Sequence, residues 1–552
     1  MRGWMALAWL AIGCAKAPPE PWGSGTGPCA PTEDTRTFAV LHLNDTYRIE
    51  GLMDGSGGLA RVRSLRESLE EECPDLLVTH AGDALFPSLT SRLFYGEQMI
   101  AALNRLDGDG SAYDPRFLIT FGNHEFDKSD MVDAPILAAR VAESQFSWLG
   151  SNIDWGEPAK VGPQKIIDHQ ILVLQGVPVG VFSLTIGDVV PKYVGGITTD
   201  YAAVARDRTA RLREDGARVV IALTHLPRAT DEALLRDLGE DGPDLILGGH
   251  DHSLSTTDVD GRLVLKGDAD AVRVRTAFVT LGPDGVSVRA DEGTALTPAD
   301  WPQDPTVRVV VDEQQAAFKT AYCVWKGLPH GCLDTPLTVA NTELVAEEYA
   351  IRKYETNLGD WLADVALTEF AEHGAQVALL NSGSLRLNQN IPAGVDVRLQ
   401  VLEELFPYPM QLRLLEVSGA VLQSMLDRSV ESWDGSGHWL QLSGLAYQHD
   451  VEAGTATDAS LITQAGLRAL DPDETVRIVV PDYVANGGDG YTMLKDIEPI
   501  ALAGEAPDLK DLAEAAMLAA TEGLSIEIDG RICSSDRPDG ACLVAGASKG
   551  TP

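Results

Sequence analysis

Between Thr37 and about residue 300, apolar runs rich in β-branched residues alternate with stretches that have helical apolar spacing. Such runs predict buried strands, which we place at 37–43, 75–80, 117–121, 179–185, 218–224 and 244–247. Helical candidates between them cover 58–72 and 200–215. The alternation is typical of an α/β domain with a largely buried sheet, which we assign to residues 36–304.

A second domain follows a less periodic segment. At 552 residues the chain is too long for one hydrophobic core, and we place a linker or hinge at 305–334. An α/β or α+β domain is predicted over 335–528. It opens with a helix whose apolar residues share one face, namely Leu358, Trp361, Leu362, Val365 and Phe370. Residues 529–552 are rich in Ser, Gly and Asp and are predicted to form a tail in loop conformation.

The N-terminus has the features of an export signal. A basic residue precedes an apolar run at 4–12, which is too short to span a bilayer. The run ends in Leu10-Ala11-Ile12-Gly13-Cys14, which resembles a bacterial lipoprotein signal, although alanine stands where that pattern usually has leucine. The resemblance implies cleavage of a signal peptide at 1–13, acylation of Cys14 and a flexible tether over 14–35. An ordinary cleaved signal with an incidental cysteine is the alternative.

The cysteine count agrees with export. There are 7 cysteines, and assigning Cys14 to lipid leaves an even set. An oxidising compartment favours disulfides, and none of the spacings is that of a zinc site. The predicted pairs are Cys323–Cys332 and Cys533–Cys542, which enclose short loops, and by elimination Cys29–Cys73.

The net charge of −39 limits the partners of this chain. A surface of that sign repels nucleic acids, anionic membranes and free nucleotides. We therefore expect no nucleic-acid partner, and membrane contact only through the lipid anchor. If the substrate is a phosphate ester, metal ions and a few arginines must reverse the field locally.

Polar residues able to bind metal follow five of the predicted strands. Because open α/β sheets place their sites beyond the carboxyl ends of the strands, we expect these side chains to meet at one edge. Carboxylate, imidazole and amide donors suit a pair of divalent cations about 3.5–4 Å apart. The candidate metal ligands are Asp45, Asp83, Asn123, His225, His250 and His252.

This arrangement resembles the calcineurin-like metallophosphoesterases, and specifically the 5'-nucleotidase/UDP-sugar hydrolase family. The resemblance implies a β-sandwich flanked by helices, two divalent ions such as Zn, Mn or Co, and Asp83 as the carboxylate that bridges them. His124 and Asp127, in Asn123-His124-Glu125-Phe126-Asp127, match the catalytic dyad of that family. Asp127 would orient the His124 imidazole, which would stabilise the transition state or help the leaving oxygen.

The first motif departs from the family pattern. The family has Asn-Asp-x-His, whereas this chain has Asn44-Asp45-Thr46-Tyr47. A tyrosine can bind a strongly Lewis-acidic ion such as ferric iron through its phenolate, but we favour a packing or hydrogen-bonding role. The identity of the metal therefore stays open.

The second domain carries a loop that resembles the nucleotide-binding loop of the same family. Pro481-Asp482-Tyr483-Val484-Ala485-Asn486-Gly487-Gly488-Asp489-Gly490-Tyr491 combines a tight glycine turn with aromatic residues on both sides. The resemblance implies that Tyr483 stacks on the base and Asp489 binds the ribose. Further residues match substrate-binding positions of the family: Arg352, Asn381, Arg386 and the second stacking aromatic, Tyr408.

The motifs together predict an exported, lipid-anchored hydrolase that cleaves nucleoside 5'-phosphates to nucleoside and phosphate. Metal-bound hydroxide would attack phosphorus in line. Hydrolysis of UDP-sugars or of 2',3'-cyclic nucleotides on the same site is an alternative that these motifs do not separate. A second alternative, motivated by Tyr47, is a catalytically silent nucleotide-binding lipoprotein.

Overall fold

The computed structural model describes residues 27–156, 165–502, 504–537 and 540–544. The predicted signal peptide 1–13, Cys14 and most of the predicted tether lie outside these ranges. The chain divides into two compact units, Met1–Ala316 and Ala317–Pro552. Among the described residues, no helix has the length and apolar character needed to cross a membrane.

The N-terminal unit contains two mixed sheets. Its strands, β1 to β16 in chain order, are Arg36–Leu43, Leu77–His80, Phe117–Thr120, Ser147–Leu149, Ile153–Asp154, Ile166–Ile167, His169–Leu174, Val177–Thr185, Gly196–Ile197, Val219–His225, Leu245–Gly248, Ser255–Val259, Arg262–Lys266, Arg273–Gly282, Gly285–Ala290 and Thr294–Ala295. Its helices, α1 to α6, are Leu59–Glu72, Leu89–Phe94, Glu97–Leu103, Ala134–Glu143, Tyr201–Glu214 and Arg228–Leu238.

Parallel strands form the centre of both sheets. The larger sheet has 8 strands in the order β15-β14-β1-β2-β3-β4-β6, with β16 paired to β14. Strands β1 to β4 in it run parallel. The other sheet has 6 strands in the order β12-β13-β11-β10-β8-β7, of which β8, β10, β11 and β13 run parallel. The carboxyl ends of neighbouring parallel strands therefore lie together in each sheet.

Successive side chains along each strand point to opposite faces of the sheet, so apolar side chains form a core on both faces of each sheet. Phe38 and Val40 on β1 pack in the same cluster as Ile221 of the smaller sheet, so this cluster fills the space between the sheets. Ala39 on β1 faces the other way, in a cluster with Leu65 of α1. A further cluster joins the outer face of the smaller sheet to α5 and α6. The unit is thus a β-sandwich flanked by helices, as expected, because strands that are apolar on both faces must be covered on both.

The predicted strands and helices of this unit are confirmed with small changes at their ends. The run predicted as a strand at 75–80 begins two residues later, at Leu77. The predicted helices at 58–72 and 200–215 correspond to α1 and α5. Strand and helix therefore follow from apolar periodicity here, since tertiary burial and local spacing agree.

The C-terminal unit has its own core. Its strands, β17 to β26, are Pro336–Val339, Val377–Asn381, Asp396–Arg398, Leu412–Ser418, Leu440–Ser443, Leu445–Asp450, Thr455–Thr463, Gly466–Ala469, Thr475–Pro481 and Ile532–Ser534. A helix α7, Pro305–Lys326, precedes them, and α8 to α13 are Glu348–Ile351, Asn357–Glu369, Leu399–Leu405, Gly419–Val430, Asp482–Ala485 and Leu509–Ala519. Two four-stranded sheets, β20-β25-β18-β21 and β24-β23-β22-β26, share one apolar cluster with α11.

Two segments predicted to be irregular contain regular structure. The segment predicted as the linker, 305–334, does contain the division between the units, but it is a helix over most of its length, Pro305–Lys326. Asp304 starts this helix by accepting hydrogen bonds from the N–H groups of Thr306 and Val307. Apolar residues such as Val309 and Val324 lie on the exposed side of this helix, so the apolar residues of the segment do not fall on one face and no helical periodicity is visible in the sequence.

The predicted tail also contains regular structure. Ile532–Ser534 pairs in parallel with β22, and the segment is closed by a disulfide between Cys533 and Cys542.

The buried face of α9 differs slightly from the prediction. Leu358 and Leu362 are buried, whereas Trp361 and Val365 are only half-buried.

All three predicted disulfides are present. Cys323 pairs with Cys332 and Cys533 with Cys542, each across a separation of 9 residues. Cys29 pairs with Cys73 across 44 residues and ties the start of the described chain to the end of α1. Local pairing follows from short loops, because residues close in sequence meet at small entropic cost.

Candidate active site

The candidate metal ligands lie where parallel strands end. Asp45 follows β1, Asp83 follows β2 and Asn123 follows β3, and these strands are parallel neighbours. His225 ends β10 in the smaller sheet, and His250 follows its parallel neighbour β11. The topology therefore brings residues from distant parts of the sequence to one rim, as the sequence predicts.

Four of the candidate ligands occupy an uncommon backbone conformation. The φ angles of Asp45, Asp83, His250 and His252 are 50°, 56°, 81° and 55°. Residues with a Cβ rarely adopt positive φ, and such residues concentrate at functional sites that the surrounding structure holds in place. Gly122 shows how crowded the rim is, because a Cβ there would lie 2.1 Å from Asp83 Oδ1.

A first set of donor atoms surrounds the Tyr47 hydroxyl. His252 Nε2 lies 3.2 Å from Asp45 Oδ1 and 2.8 Å from the Tyr47 oxygen. The same phenol oxygen is 3.3 Å from Asp45 Oδ1 and 3.3 Å from Asp83 Oδ2. Asn44 and the backbone N–H of His250 donate to the other oxygen of Asp45 and fix that carboxylate.

A second set of donor atoms surrounds His225. Its Nε2 is 3.2 Å from Asp83 Oδ2 and 3.2 Å from Asn123 Oδ1. Its Nδ1 lies 2.7 Å from the Ala81 carbonyl, which fixes the ring and leaves Nε2 to face the rim. The ring of His250 stands 5.2 Å away, nearly perpendicular to it.

Asp83 Oδ2 belongs to both sets. Metal–ligand bonds of about 2.1 Å place neighbouring donor atoms about 3.0 Å apart in an octahedron and about 3.4 Å apart in a tetrahedron. The donor–donor distances in both sets are of this size, and the donors are carboxylate, imidazole, amide and phenol groups. These distances are compatible with two cations that share Asp83 Oδ2 as a ligand.

The electrostatics of the rim favour positive charge. Burial lowers the pKa of His225, but the Asp83 and Asp45 carboxylates and the Ala81 carbonyl together outweigh burial and raise that pKa to about 9. Burial alone raises the pKa of Asp45, but His252 holds it below its ordinary value. For His250, burial dominates and lowers the pKa, so its ring stays neutral and able to ligate. Excess negative charge at a buried site is the environment that binds metal cations.

His124 and Asp127 form a pair beside the donor sets. His124 Nδ1 lies 2.9 Å from Asp127 Oδ1, and the backbone N–H of His124 donates to Asp83 Oδ1 at 2.8 Å. Burial lowers the pKa of His124, but Asp83 and Asp127 raise it more, so the net shift is upward. The imidazole is therefore held by Asp127 with its Nε2 directed away from that carboxylate, and its cationic form is stabilised.

In the C-terminal unit, two parallel strands bring the loop residues together. Asn381 ends β18, and the predicted nucleotide-binding loop follows β25, its parallel neighbour. Asn381 Nδ2 donates to Asp489 Oδ2 at 2.8 Å, and the Tyr483 hydroxyl donates to Asp489 Oδ1 at 3.0 Å. The Tyr483 ring lies over Gly488, where a Cβ would come within 2.5 Å of the ring. The absence of a side chain at Gly488 thus leaves room for the Tyr483 ring to lie on the turn.

The remaining predicted substrate-binding residues occupy the same unit. Arg386 contributes to the electrostatic environment of the Tyr483 hydroxyl. Arg352 follows α8 and forms an ion pair with Glu348 at 2.6 Å. Tyr483 and Tyr408 are 52% and 61% exposed, so each presents aromatic surface to solvent. Exposed rings of this kind are suited to stacking on a planar ligand.

Two family models match the chain. The model for calcineurin-like phosphoesterases matches residues 38–254, and the model for the 5'-nucleotidase C-terminal domain matches residues 337–496. The chain belongs to the 5'-nucleotidase family of metallophosphoesterases. The two matches cover the donor sets of the N-terminal unit and the aromatic loop of the C-terminal unit.

Relatives of this 5'-nucleotidase family member include a human 5'-nucleotidase and a bacterial nucleotide phosphoesterase. The human 5'-nucleotidase is 21% identical over 510 residues, which cover 83% of this chain and 84% of that protein. The trifunctional nucleotide phosphoesterase protein YfkN of Bacillus subtilis is 24% identical over 524 residues, covering 85% of this chain and 33% of that protein. The chain therefore spans about a third of the length of the Bacillus relative.

Solved structures share the fold. The 5'-nucleotidase precursor from Thermus thermophilus matches with a TM-score of 0.69 at 24% identity, covering 90% of this chain and 99% of that chain. The 5'-nucleotidase from Candida albicans matches with a TM-score of 0.58 at 14% identity, covering 87% and 98%. The two-domain α/β architecture is therefore that of solved 5'-nucleotidases.

Glu125 holds the loops of the rim in place, and it is not among the site residues predicted from the sequence. Its buried carboxylate accepts hydrogen bonds from the backbone N–H groups of Asp83, Ala84, Leu85 and Gly122. Burial, followed by the Asp83 charge, raises its pKa to about 7. The position of Glu125 within the Asn-His-Glu motif could have indicated this role, since a buried carboxylate is normally hydrogen-bonded to nearby N–H groups.

Lys266 holds the loop that carries His250 and His252. Its buried ammonium lies 2.9 Å from Asp231 and 2.6 Å from Asp251, and it donates to the Gly249 carbonyl at 2.8 Å. Burial raises the pKa of Asp231, against the influence of Lys266. No sequence signal marks this network, because its members lie far apart along the chain.

Replacing Lys266 by methionine should destabilise the N-terminal unit by about 3–5 kcal/mol, because the buried Asp231 charge loses its partner. Denaturant unfolding followed by tryptophan fluorescence measures the change. Lys319→Met is the matched control, since Lys319 pairs with Asp334 at a site that is partly exposed to solvent, and such pairs contribute about 1 kcal/mol or less. Equal, small losses in the two variants would show that the network does not stabilise the fold.

The shared oxygen of Asp83 gives a second prediction. Asp83→Asn keeps the shape of the side chain but removes the charge between the two donor sets, so the variant should lose most of its bound metal. Elemental analysis of purified protein measures this loss. Asp260→Asn changes an exposed turn residue between β12 and β13 and should retain the metal. Normal metal content in Asp83→Asn would contradict the bridging assignment.

Proposed function

We propose that this protein hydrolyses nucleoside 5'-phosphates to nucleoside and phosphate in a metal-dependent reaction outside the cytoplasm. The observation that carries the proposal is the position of Asp83 Oδ2 in two donor sets at once. That arrangement is suited to a metal pair acting on a phosphoryl group. The aromatic loop of the C-terminal unit supports a nucleotide as the group recognised.

The ligands proposed to hold the metal pair are the six residues predicted from the sequence. When bound, two ions in these positions would polarise the phosphoryl oxygens and supply a nucleophile from water at neutral pH. The protein contributes rigid donors. Asn44 donates a hydrogen bond to the Asp45 carboxylate, and Glu125 accepts one from the backbone N–H of Asp83. The Ala81 carbonyl holds Nδ1 of the His225 imidazole.

His124 is proposed to stabilise the charge that develops on the reacting phosphate and to donate a proton to the leaving oxygen. Asp127 holds Nδ1, so a proton on Nε2 can be given to the 5'-oxygen of the nucleoside. The upward shift of the His124 pKa supports this role, because a general acid must carry its proton before the bond breaks.

Substrate recognition is proposed to rest on the C-terminal unit. Tyr483 and Tyr408 offer exposed rings for the base, and Asp489 offers carboxylate oxygens to the ribose hydroxyls. Asn381 holds that carboxylate in place. Arg352 and Arg386 are proposed to attract the phosphate, since guanidinium groups bind phosphate oxygens in pairs.

A wider range of nucleotide esters is a second candidate. The Bacillus subtilis relative is described as a trifunctional nucleotide phosphoesterase, and UDP-sugars and 2',3'-cyclic nucleotides carry the same recognisable base. Phosphate release measured over a panel of nucleoside monophosphates, UDP-glucose and cyclic nucleotides separates the two candidates.

Export and lipid anchoring through Cys14 are proposed from the sequence. Cys14 lies outside the described residues. The three disulfides of the described chain support an oxidising compartment, because disulfides are rare in the reducing cytoplasm.

His124→Ala should lower kcat for AMP by at least ~100-fold and leave metal content near normal, because acid–base groups contribute 10²–10⁴ and His124 is not among the proposed ligands. Steady-state kinetics and elemental analysis on one preparation measure both. His169→Ala is a matched control, since His169 forms a similar pair with Asp168 at the start of β7. Loss of metal with unchanged kcat per bound metal would remove His124 from the chemistry.

Tyr483→Ala should raise KM for AMP by ~10-fold or more and leave hydrolysis of p-nitrophenyl phosphate nearly unchanged, because a stacked base contributes about 1–3 kcal/mol. Tyr483→Phe keeps the ring and should keep most of the affinity. An equal loss on the two substrates would mean that Tyr483 supports the fold, and the proposal would then reduce to a general phosphoesterase.

A further inference from the structure

Tyr47 occupies the position where the family pattern has a histidine, and the structure places its hydroxyl among metal-binding atoms. The side chain is 7% exposed. Its oxygen lies 2.8 Å from His252 Nε2 and 3.3 Å from one oxygen of each of Asp45 and Asp83. A residue that served only to fill space would present carbon atoms to these groups.

The backbone of Tyr47 is held firmly in this position. Asp270 Oδ1 accepts hydrogen bonds from the N–H groups of Tyr47 and Arg48, at 2.7 and 2.9 Å. The N–H of Asp270 in turn donates to the carbonyl of Asp45 at 2.9 Å. The phenol is therefore positioned by the same loop contacts that position the Asp45 carboxylate.

Hydrogen bonding alone does not account for the three contacts. A phenol has one proton and can donate it to one acceptor at a time. If it donates to one carboxylate and accepts a hydrogen bond from His252 Nε2, its oxygen still lies 3.3 Å from an oxygen of the other carboxylate, and that contact is repulsive. A cation at the centre of the four donor atoms converts the same contacts into edges of a coordination shell, whose expected lengths are about 3.0–3.4 Å.

We propose that the phenol oxygen of Tyr47 is a ligand of the ion bound by Asp45, Asp83 and His252, and that this ion is trivalent, of the ferric class. The proposal rests on the metal centre of the proposed function. On binding, the phenol releases its proton to solvent and coordinates as phenolate.

Charge balance favours a trivalent ion at this position. Phenolate in place of a neutral imidazole adds one negative charge to a set that already contains two carboxylates. Buried charge must be compensated, so an ion with one more positive charge matches the set. On the His225 side of the rim, the amide and imidazole donors add no negative charge to the shared carboxylate, so this side suits a divalent ion.

The test uses the whole chain, stripped of metal and loaded with ferric citrate and zinc. A ferric ion bound by phenolate absorbs visible light by charge transfer from the ligand, whereas carboxylate and imidazole ligands give no such band. We expect a coloured protein whose resonance Raman spectrum contains tyrosinate modes. Tyr47→Phe should lose the band and bind ferric iron at least ~10-fold more weakly, since even partners that only support a ligand contribute 10–100-fold.

Two further variants keep the result interpretable. Tyr193→Phe removes another buried hydroxyl of the same unit, which donates to the Lys128 carbonyl, and it should retain the colour. Tyr47→His restores the family pattern and should bind two zinc ions without colour. Circular dichroism of each variant establishes that it is folded.

Stoichiometric iron without a charge-transfer band in the wild type, or a band that persists in Tyr47→Phe, would overturn the proposal. These readouts require no substrate, so they are independent of the proposed function. A coloured protein that hydrolyses no nucleotide would sustain the ligand assignment and refute the nucleotidase. A protein that stays colourless when loaded with iron, but hydrolyses AMP when loaded with zinc, would refute the Tyr47 ligand assignment and sustain the nucleotidase.

Discussion

The geometry of the rim depends on the carboxylate of Asp83, because each of its oxygens contacts a different part of the site. Oδ2 belongs to both donor sets, and Oδ1 accepts the backbone N–H of His124. The N–H of Asp83 itself is bound by Glu125. A displacement of this one side chain would therefore change both donor sets and the position of the His124 backbone together. Such coupling is expected where buried negative charge is concentrated and must be compensated by nearby cations.

The backbone around this carboxylate is correspondingly constrained. Positive φ angles at Asp45, Asp83, His250 and His252 are unfavourable for residues with a Cβ. The sheets supply the rigidity that maintains them, because each of these residues lies a few positions beyond the end of a buried strand. Glu125 and Lys266 add local support by binding backbone groups of the loops that carry the ligands.

The sequence predicts most of this site because strand ends and ligand types are local signals. The strand 37–43 could be recognised from its apolar residues, and Asp45 follows from its position after that strand. Lys266 and its partner Asp231 could not be predicted, since their pairing depends on the relative position of β13 and α6. The helix at 305–326 was missed although Asp304-Pro305 is a helix-start signal, because apolar residues on its exposed side obscure the buried one. The strand at 532–534 depends on pairing with β22, which no local pattern specifies.

A net charge of −39 and a phosphate ester substrate are compatible because the two act over different distances. At physiological ionic strength, interactions between exposed charges fade beyond about 8 Å, so the acidic surface repels an approaching nucleotide only weakly. Within the sites, partly buried groups interact with less screening. In the N-terminal unit, the raised pKa of His124 favours the opposite sign, and in the C-terminal unit the guanidinium groups of Arg352 and Arg386 are proposed to supply it. The acidity of the surface therefore weakens phosphate binding only over short distances, and cations at the rim, where Asp45 and Asp83 concentrate negative charge, would offset it locally.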